Sequence, residues 1–394
     1  MNSALRDLPM IYLDYAATTP VDSRVFDAML PYFTENFGNP SSTHRYGQKA
    51  EAAVETARET VAAILHCRPS EVIFTSCGSE SDNLALRGVA LARRATAGTN
   101  RILTARAEHH AVSKTAERLE KEDGFRVAWL PVDEFGRVRP EAVEQAIDSQ
   151  TSLVSVMYSN NEIGTVNPIC AIAEVCRKHG VPLHTDAVQA AAYLPVEVDA
   201  LGVDLLSLGA HKFYGPKGIG ALYIRKGTPL QPVLTGGGQE FGLRAGTHNV
   251  PLIVGLAEAL RLANLERQER TARLLPLRDK IIGTVLKKIP DSRLTGHPLE
   301  RVPNHASFVF KEVDGNLLVN LLDGAGFACS SGSACKTGNP EPSEVITSLG
   351  FSPEWALGSL RVTLGLGTTS EDVDAFLEAL PALVEKARSL SSVR

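Results

Sequence analysis

Between Val72 and Arg225 the chain alternates short β-branched or apolar runs with longer stretches in which apolar residues recur at helical spacing. The runs VIFT (72–75), RILTA (101–105), RVAWLPV (126–132), TSLVSVMY (151–158), VPLHTD (181–186), DLLSLGA (204–210) and GALYIR (220–225) are short, rich in Val, Ile and Leu, and read as buried strands. Between them, helices are predicted over 79–94, which opens with a Ser-x-x-Asp capping pattern, over 112–122 after a His-rich turn, and over 172–179, which ends in basic residues ahead of Gly180. Connections long enough to hold a helix suit parallel neighbours, so the expected fold is α/β with a mostly parallel seven-stranded sheet.

From Val250 to Lys288 the pattern becomes one long Leu- and Arg-rich helix, followed by a strand (306–310), a helix (316–322) and a terminal helix (371–390). These read as a smaller α+β unit. The expected division is a large domain over 16–260 and a small one made of 1–15 and 261–394, packed so that the two share a cleft.

Composition narrows the class. The 394 residues are 44% hydrophobic and 22% charged, as in a soluble globular protein. A formal net charge of −5 without a basic run offers no field for phosphate backbones, so direct nucleic-acid binding is not expected. No run of about 18 apolar residues occurs and the first residues lack a signal-peptide pattern, so no membrane partner and a cytoplasmic location are expected. Cysteines stand at 67, 77, 170, 176, 329 and 335 without a CxxC pair, which predicts neither a metal site nor a disulfide framework.

Three separated segments carry candidate chemistry. SLGAHKFYGPKGIG (207–220) sets Lys212 just past an apolar strand, HTDAVQ ends a strand on Asp186, and TSCGSESDN (75–83) begins a helix with Gly78 and Ser79. Taken singly, each has a plainer use: a solvated lysine, a turn-capping carboxylate, a helix N-cap. Together they are what pyridoxal phosphate needs. A lysine forms a Schiff base with its aldehyde, an aspartate keeps its ring nitrogen protonated, and N–H groups at a helix start hold its phosphate. His109, past the strand 101–105, could stack on the ring; Asn161 could donate to the phenolic oxygen, or serve only as a turn residue in the NNE sequence. In GFACSSGSACKTGNPEPSEV (326–345), Cys335 sits in a polar, Gly-rich stretch where a reactive thiol is at home, whereas Cys329 ends an apolar run and reads as packed.

With these in place, the chain resembles the cysteine desulfurases of the NifS/IscS type, within the class V aminotransferases of the fold-type-I pyridoxal phosphate enzymes. The resemblance rests on YLDYAATTP (12–20), FGNPSS (37–42), FTSCGSESDN (74–83), EHHAV (108–112), NNEIGTV (160–166), HTDAVQ (184–189), AHKFYGPKGIGALY (210–223), GGGQEFGLRAGT (236–247) and SSGSAC (330–335), in family order. It implies Lys212 as the Schiff-base lysine and Cys335 as the nucleophile that receives sulfur from L-cysteine. It also implies His109 stacked on the ring and Asp186 on its nitrogen, with Asn161 and Gln189 on its phenolic oxygen. The phosphate would be held by Gly78, Ser79, His211 and, from the partner of a homodimer, Thr247. Arg361 and Asn39 would hold the substrate's carboxylate. A sulfur-acceptor protein, such as an iron–sulfur scaffold, is the implied partner. Gly209 stands where many relatives carry a phosphate-binding serine. The rival readings are another class V enzyme, such as a selenocysteine lyase or an aminotransferase, and a non-catalytic protein that keeps the fold.

Overall fold

The computed structural model describes residues 10–332 and 342–391. Its strands are β1 (Ile11–Tyr12), β2 (Val72–Thr75), β3 (Arg101–Ala105), β4 (Arg126–Leu130), β5 (Thr151–Ser155), β6 (Leu183–Asp186), β7 (Leu205–Gly209), β8 (Gly220–Ile224), β9 (Ser292–Leu294), β10 (His305–Phe310), β11 (Phe327–Ala328) and β12 (Ser359–Thr363). β2 to β8 make a seven-stranded sheet in the order β2-β8-β7-β6-β5-β3-β4. Only β8 runs against its neighbours, so the sheet is mostly parallel.

Alternate residues of these strands enter two separate apolar layers, as the two-residue period of a strand requires. Leu103, Val154 and Leu206 pack on one face; Ile102, Leu153 and Leu205 pack on the other beneath the helices Gly78–Ala97 and His110–Asp123. Burial on both faces explains why the inner strands are continuous apolar runs, and why edge strand β4 alone is mostly half-exposed.

Asn249, whose side chain accepts from the N–H of Leu252, starts the helix Val250–Lys288. At 39 residues it is about 58 Å long and leads from the large sheet to the antiparallel sheet β12-β10-β9. The start of the chain joins that second region: β1 pairs with β11, and Asp14 bridges Thr363 at the end of β12. Among the described residues, no helix is long and apolar enough to cross a membrane.

Candidate active site

Five strands of the large sheet deliver residues to one edge, the edge where open α/β sheets bind ligands. There lies a cavity of about 230 Å³ whose lining includes Gly78, Ser79, His109, Asn161, Asp186, Gln189, His211, Lys212 and Arg361. Residues far apart in sequence are thus gathered in one place.

β7 ends at Gly209 and the chain turns at once through Ala210–Lys212, which projects the lysine over the sheet edge. Nζ donates to the carbonyl oxygens of Ala16 at 2.6 Å and Ala17 at 2.8 Å. Burial, and then the positive charge of Arg361, lower the lysine's pKa to about 8 against the pull of Asp14 and Asp186. Roughly one molecule in ten is then neutral at pH 7, against about one in three thousand for an unperturbed lysine. Capture of an aldehyde by the cofactor-free protein should therefore rise with pH and level off above about 8. Stopped-flow absorbance would read this; a midpoint near that of a free lysine would contradict it.

Asp186, at the end of β6, is 5% exposed, and its Oδ1 accepts from the N–H of Val188 at 2.9 Å. It therefore makes the local turn and still faces the cavity. His109 caps the helix His110–Asp123, its Nδ1 accepting from the N–H of Ala111 at 3.1 Å, which leaves the ring proton on Nε2. Burial lowers its pKa, outweighing the attraction of Asp186. The ring is neutral at pH 7. Gln189 donates to the carbonyl of Ala16 at 2.8 Å, and His211 meets Thr18 Oγ1 at 3.2 Å, its pKa lowered to about 4 chiefly by burial.

The helix predicted from Ser79 starts one residue earlier, at Gly78, with Cys77 as an N-cap whose side chain makes no capping bond. Ser79 is therefore not the cap. A residue in the first turn has no carbonyl partner for its N–H within the helix, so the expected role of Ser79 as cap is replaced by an exposed hydroxyl at an open helix start. A Cβ on Gly78 would come 2.7 Å from Val188 Cγ2, and one on Gly209 would come 3.4 Å from the N of Gly78. Glycine at 78 keeps the turn closed against Val188, and glycine at 209 leaves space beside these donors.

On the side of the second sheet, Arg361 of β12 donates from Nη2 to Asp14 Oδ1 at 2.8 Å and from Nη1 to the carbonyl of Asn161 at 3.0 Å. Its Nε is buried without a partner among the described residues. The turn-forming role in NNE falls to Asn160, whose Oδ1 accepts from the N–H groups of Glu162 and Ile163. That leaves the Asn161 side chain to the cavity. Glu162 gathers the flanks of the segment 333–341: Ser343 Oγ donates to its Oε2 at 2.5 Å, and a Cβ on Gly332 would lie 2.8 Å from the same oxygen.

Asn39 and Thr247 are exposed and do not line the cavity. Cys335 and Lys336 lie outside the described residues. Cys329 is packed, with burial pushing its thiol pKa up, while Cys77 lines the cavity.

Other residues at or near the cavity escaped the reading of the sequence. Asp14, Ala16 and Ala17 hold Arg361 and Lys212, and Asp82 is part of the cavity's lining. Glu240, 3% exposed, accepts from Arg58 at 2.8 and 2.9 Å, His248 at 2.6 Å and the N–H of Phe74 at 2.8 Å, while Arg244 pairs with Glu80 at 2.8 Å. The loop 236–248 thereby grips both ends of the turn 74–80. The motifs containing these residues were visible, but their pairings span more than 160 positions. Burial alone would raise the pKa of Glu240, yet the bonds from Arg58 and His248 hold it at about 2. A depressed carboxylate stabilises the fold above its unfolded pKa and loses that contribution as pH falls toward about 2. Glu240→Gln should cost about 3 kcal/mol, since it also strands Arg58, measurable by denaturant unfolding at pH 7. An unchanged midpoint would remove the clamp.

A lysine of lowered pKa, a buried carboxylate opposite it, an open helix start and a buried arginine suit a pyridoxal phosphate, whose aldehyde, ring nitrogen and phosphate call for the first three. Residues 11–376 match the class-V aminotransferase family, and the chain belongs to it. Proteins named cysteine desulfurase IscS are close relatives. That of Methanosarcina thermophila is 48% identical over 97% of this chain and 93% of its own length; that of Dictyoglomus turgidum is 47% identical over 97% and 96%. A solved NifS-like protein superposes with a TM-score of 0.89 at 38% identity, covering 96% of this chain and 100% of its own. Within its class the chain is a pyridoxal-phosphate-dependent cysteine desulfurase.

Proposed function

We propose that this chain takes sulfur from L-cysteine onto Cys335, releases L-alanine, and hands the sulfur to an acceptor protein such as an iron–sulfur scaffold, working as a cytoplasmic homodimer. The observation that carries the reading is the convergence on one cavity of Lys212, Asp186 and Arg361, beside the flanks of the segment that bears Cys335. Bound pyridoxal phosphate supplies an electron sink that makes the substrate's α-proton acidic.

The protein's own groups do the rest. Asp186 holds the ring nitrogen protonated, His109 covers the ring, and Asn161 with Gln189 faces the phenolic oxygen. Gly78, Ser79 and His211 hold the phosphate, completed by Thr247 of a second copy. Arg361, prepositioned by Asp14, offers its unpaired Nε to the substrate's carboxylate, near Asn39. Nζ of Lys212 would take the substrate's α-proton; a pKa of about 8 suits that work at neutral pH. The Cys335 thiolate then attacks the substrate's sulfur. A sulfur–sulfur bond forms, the carbon–sulfur bond breaks, and its electron pair stays on carbon, which gains a proton and becomes the methyl group of alanine. A free thiol is only roughly 3% ionised at pH 7, so a neighbour must assist; of His109 and Lys336, the neutral His109 has its Nδ1 taken up by the N–H of Ala111, which leaves Lys336 as the candidate.

Protein reconstituted with pyridoxal phosphate should release alanine and sulfide in equal amounts from L-cysteine when a thiol reductant is present. Activity confined to selenocysteine would instead assign the chain as a selenocysteine lyase.

A further inference from the structure

One buried ionisable group of the cavity has no task in this chemistry. Asp82 lies in the helix Gly78–Ala97, is 1% exposed, and lines the same cavity as Asp186. A carboxylate oxygen from each of these residues and a ring nitrogen of His109 all lie within 4.8 Å of one another. Oδ1 of Asp82 is buried with no hydrogen-bond partner among the described residues.

The nearest group that could offset its charge is His184, whose Nε2 is 3.5 Å away. That nitrogen also meets Ser207 Oγ at 3.0 Å, while Nδ1 meets Ser155 Oγ at 2.8 Å. Burial holds the pKa of this histidine down to about 3, so it is neutral. Around Asp82 the other ionisable neighbours are Asp186, Glu108, Cys77 and the neutral His109, and the one group that favours its charged form is the Ser207 side chain, a neutral hydrogen-bond partner. Burial raises the pKa of Asp186 as well, but Asp186 has what Asp82 lacks, the attraction of Lys212 and the N–H of Val188, both of which favour its charged form.

Two buried carboxyl groups this close cannot both be ionised, so one keeps a proton. The cation and the backbone donor face Asp186. We infer that Asp82 is the protonated member of a carboxyl pair with Asp186, a positioning residue that leaves Asp186 as the single ionised carboxylate facing the cofactor's ring nitrogen. Burial and then Asp186 push the Asp82 carboxyl well above the usual range, in agreement. The inference rests on the reading that Asp186 serves the ring nitrogen, and it adds what keeps that carboxylate alone.

The test is infrared spectroscopy of the cofactor-free protein at pH 7.5, joined to pyridoxal phosphate affinity by fluorescence titration. Asp82→Asn should remove a protonated-carboxyl band, and Asp186→Asn a carboxylate band. Asn at 82 keeps a neutral polar group, so affinity should stay within about threefold, whereas Asp186→Asn, which loses a charged hydrogen bond, should weaken it more than about tenfold. Loss of a carboxylate band in Asp82→Asn, or an affinity loss equal to that of Asp186→Asn, would overturn the inference. If Asp82→Asn fails to fold, Asp82→Ser, smaller and still polar, is read by the same two bands. The infrared arm needs neither cofactor nor turnover, so it stands apart from any failure of Cys335 to accept sulfur.

Discussion

Lys212→Ala is expected to abolish the covalent hold on pyridoxal phosphate and to lower turnover by about 10²–10⁴-fold or more, because the anchor and the base are one atom. Borohydride should fix the cofactor to the unaltered chain but not to this variant, which would still bind it weakly through the phosphate cup. The fold should tolerate the change. A lysine whose folded pKa, about 8, lies below its unfolded value binds fewer protons folded than unfolded. Its charge therefore opposes folding at neutral pH, and that penalty fades only as pH rises past 8. The cofactor-free variant should melt no lower than the cofactor-free parent. A fixed cofactor in Lys212→Ala would remove the lysine from its assigned place.

Cys335→Ala should bind cofactor and substrate with the parent's affinity and yet release neither alanine nor sulfide. The carbon–sulfur bond breaks only when a second sulfur accepts the departing one. Gly332 lies beside Glu162, the neighbour of cavity-lining Asn161, and three further residues give a reach of about 10 Å to Cys335. No described cysteine offers a ready substitute. Cys329 and Cys176 are buried, with burial pushing both thiols up; Cys67 and Cys170 do not line the cavity, and Cys77, which does, adjoins Gly78 and Ser79 at the helix start. Full turnover in Cys335→Ala would end the persulfide route.

The strands of the large sheet were legible because burial on both faces writes itself as uninterrupted Val, Ile and Leu, as in Leu205–Gly209 and Gly220–Ile224. The helix Val250–Lys288 was equally plain, framed by Asn249 and Pro251. Membership of the cavity was legible where a residue stands out in its motif, as with Lys212 and Asp186, which both line it. Local competition between neighbours was not. Whether Ser79 or Cys77 caps a helix, and whether Asn160 or Asn161 makes a turn, depends on a backbone angle that either sequence permits. Pairings across the chain were hidden for a different reason. Nothing near Glu240 announces Arg58, and nothing in YLDYAATTP announces that the carbonyls of Ala16 and Ala17 will receive a lysine from position 212. Such partners appear only after the sheet has brought its edge together.

The most direct measurement is peptide mass spectrometry after brief exposure of the reconstituted protein to L-cysteine without reductant. The peptide bearing Cys335 should gain one sulfur, about 32 Da, and lose it again on reduction. An unmodified Cys335 peptide alongside continued release of alanine would mean that sulfur leaves the cavity by another carrier.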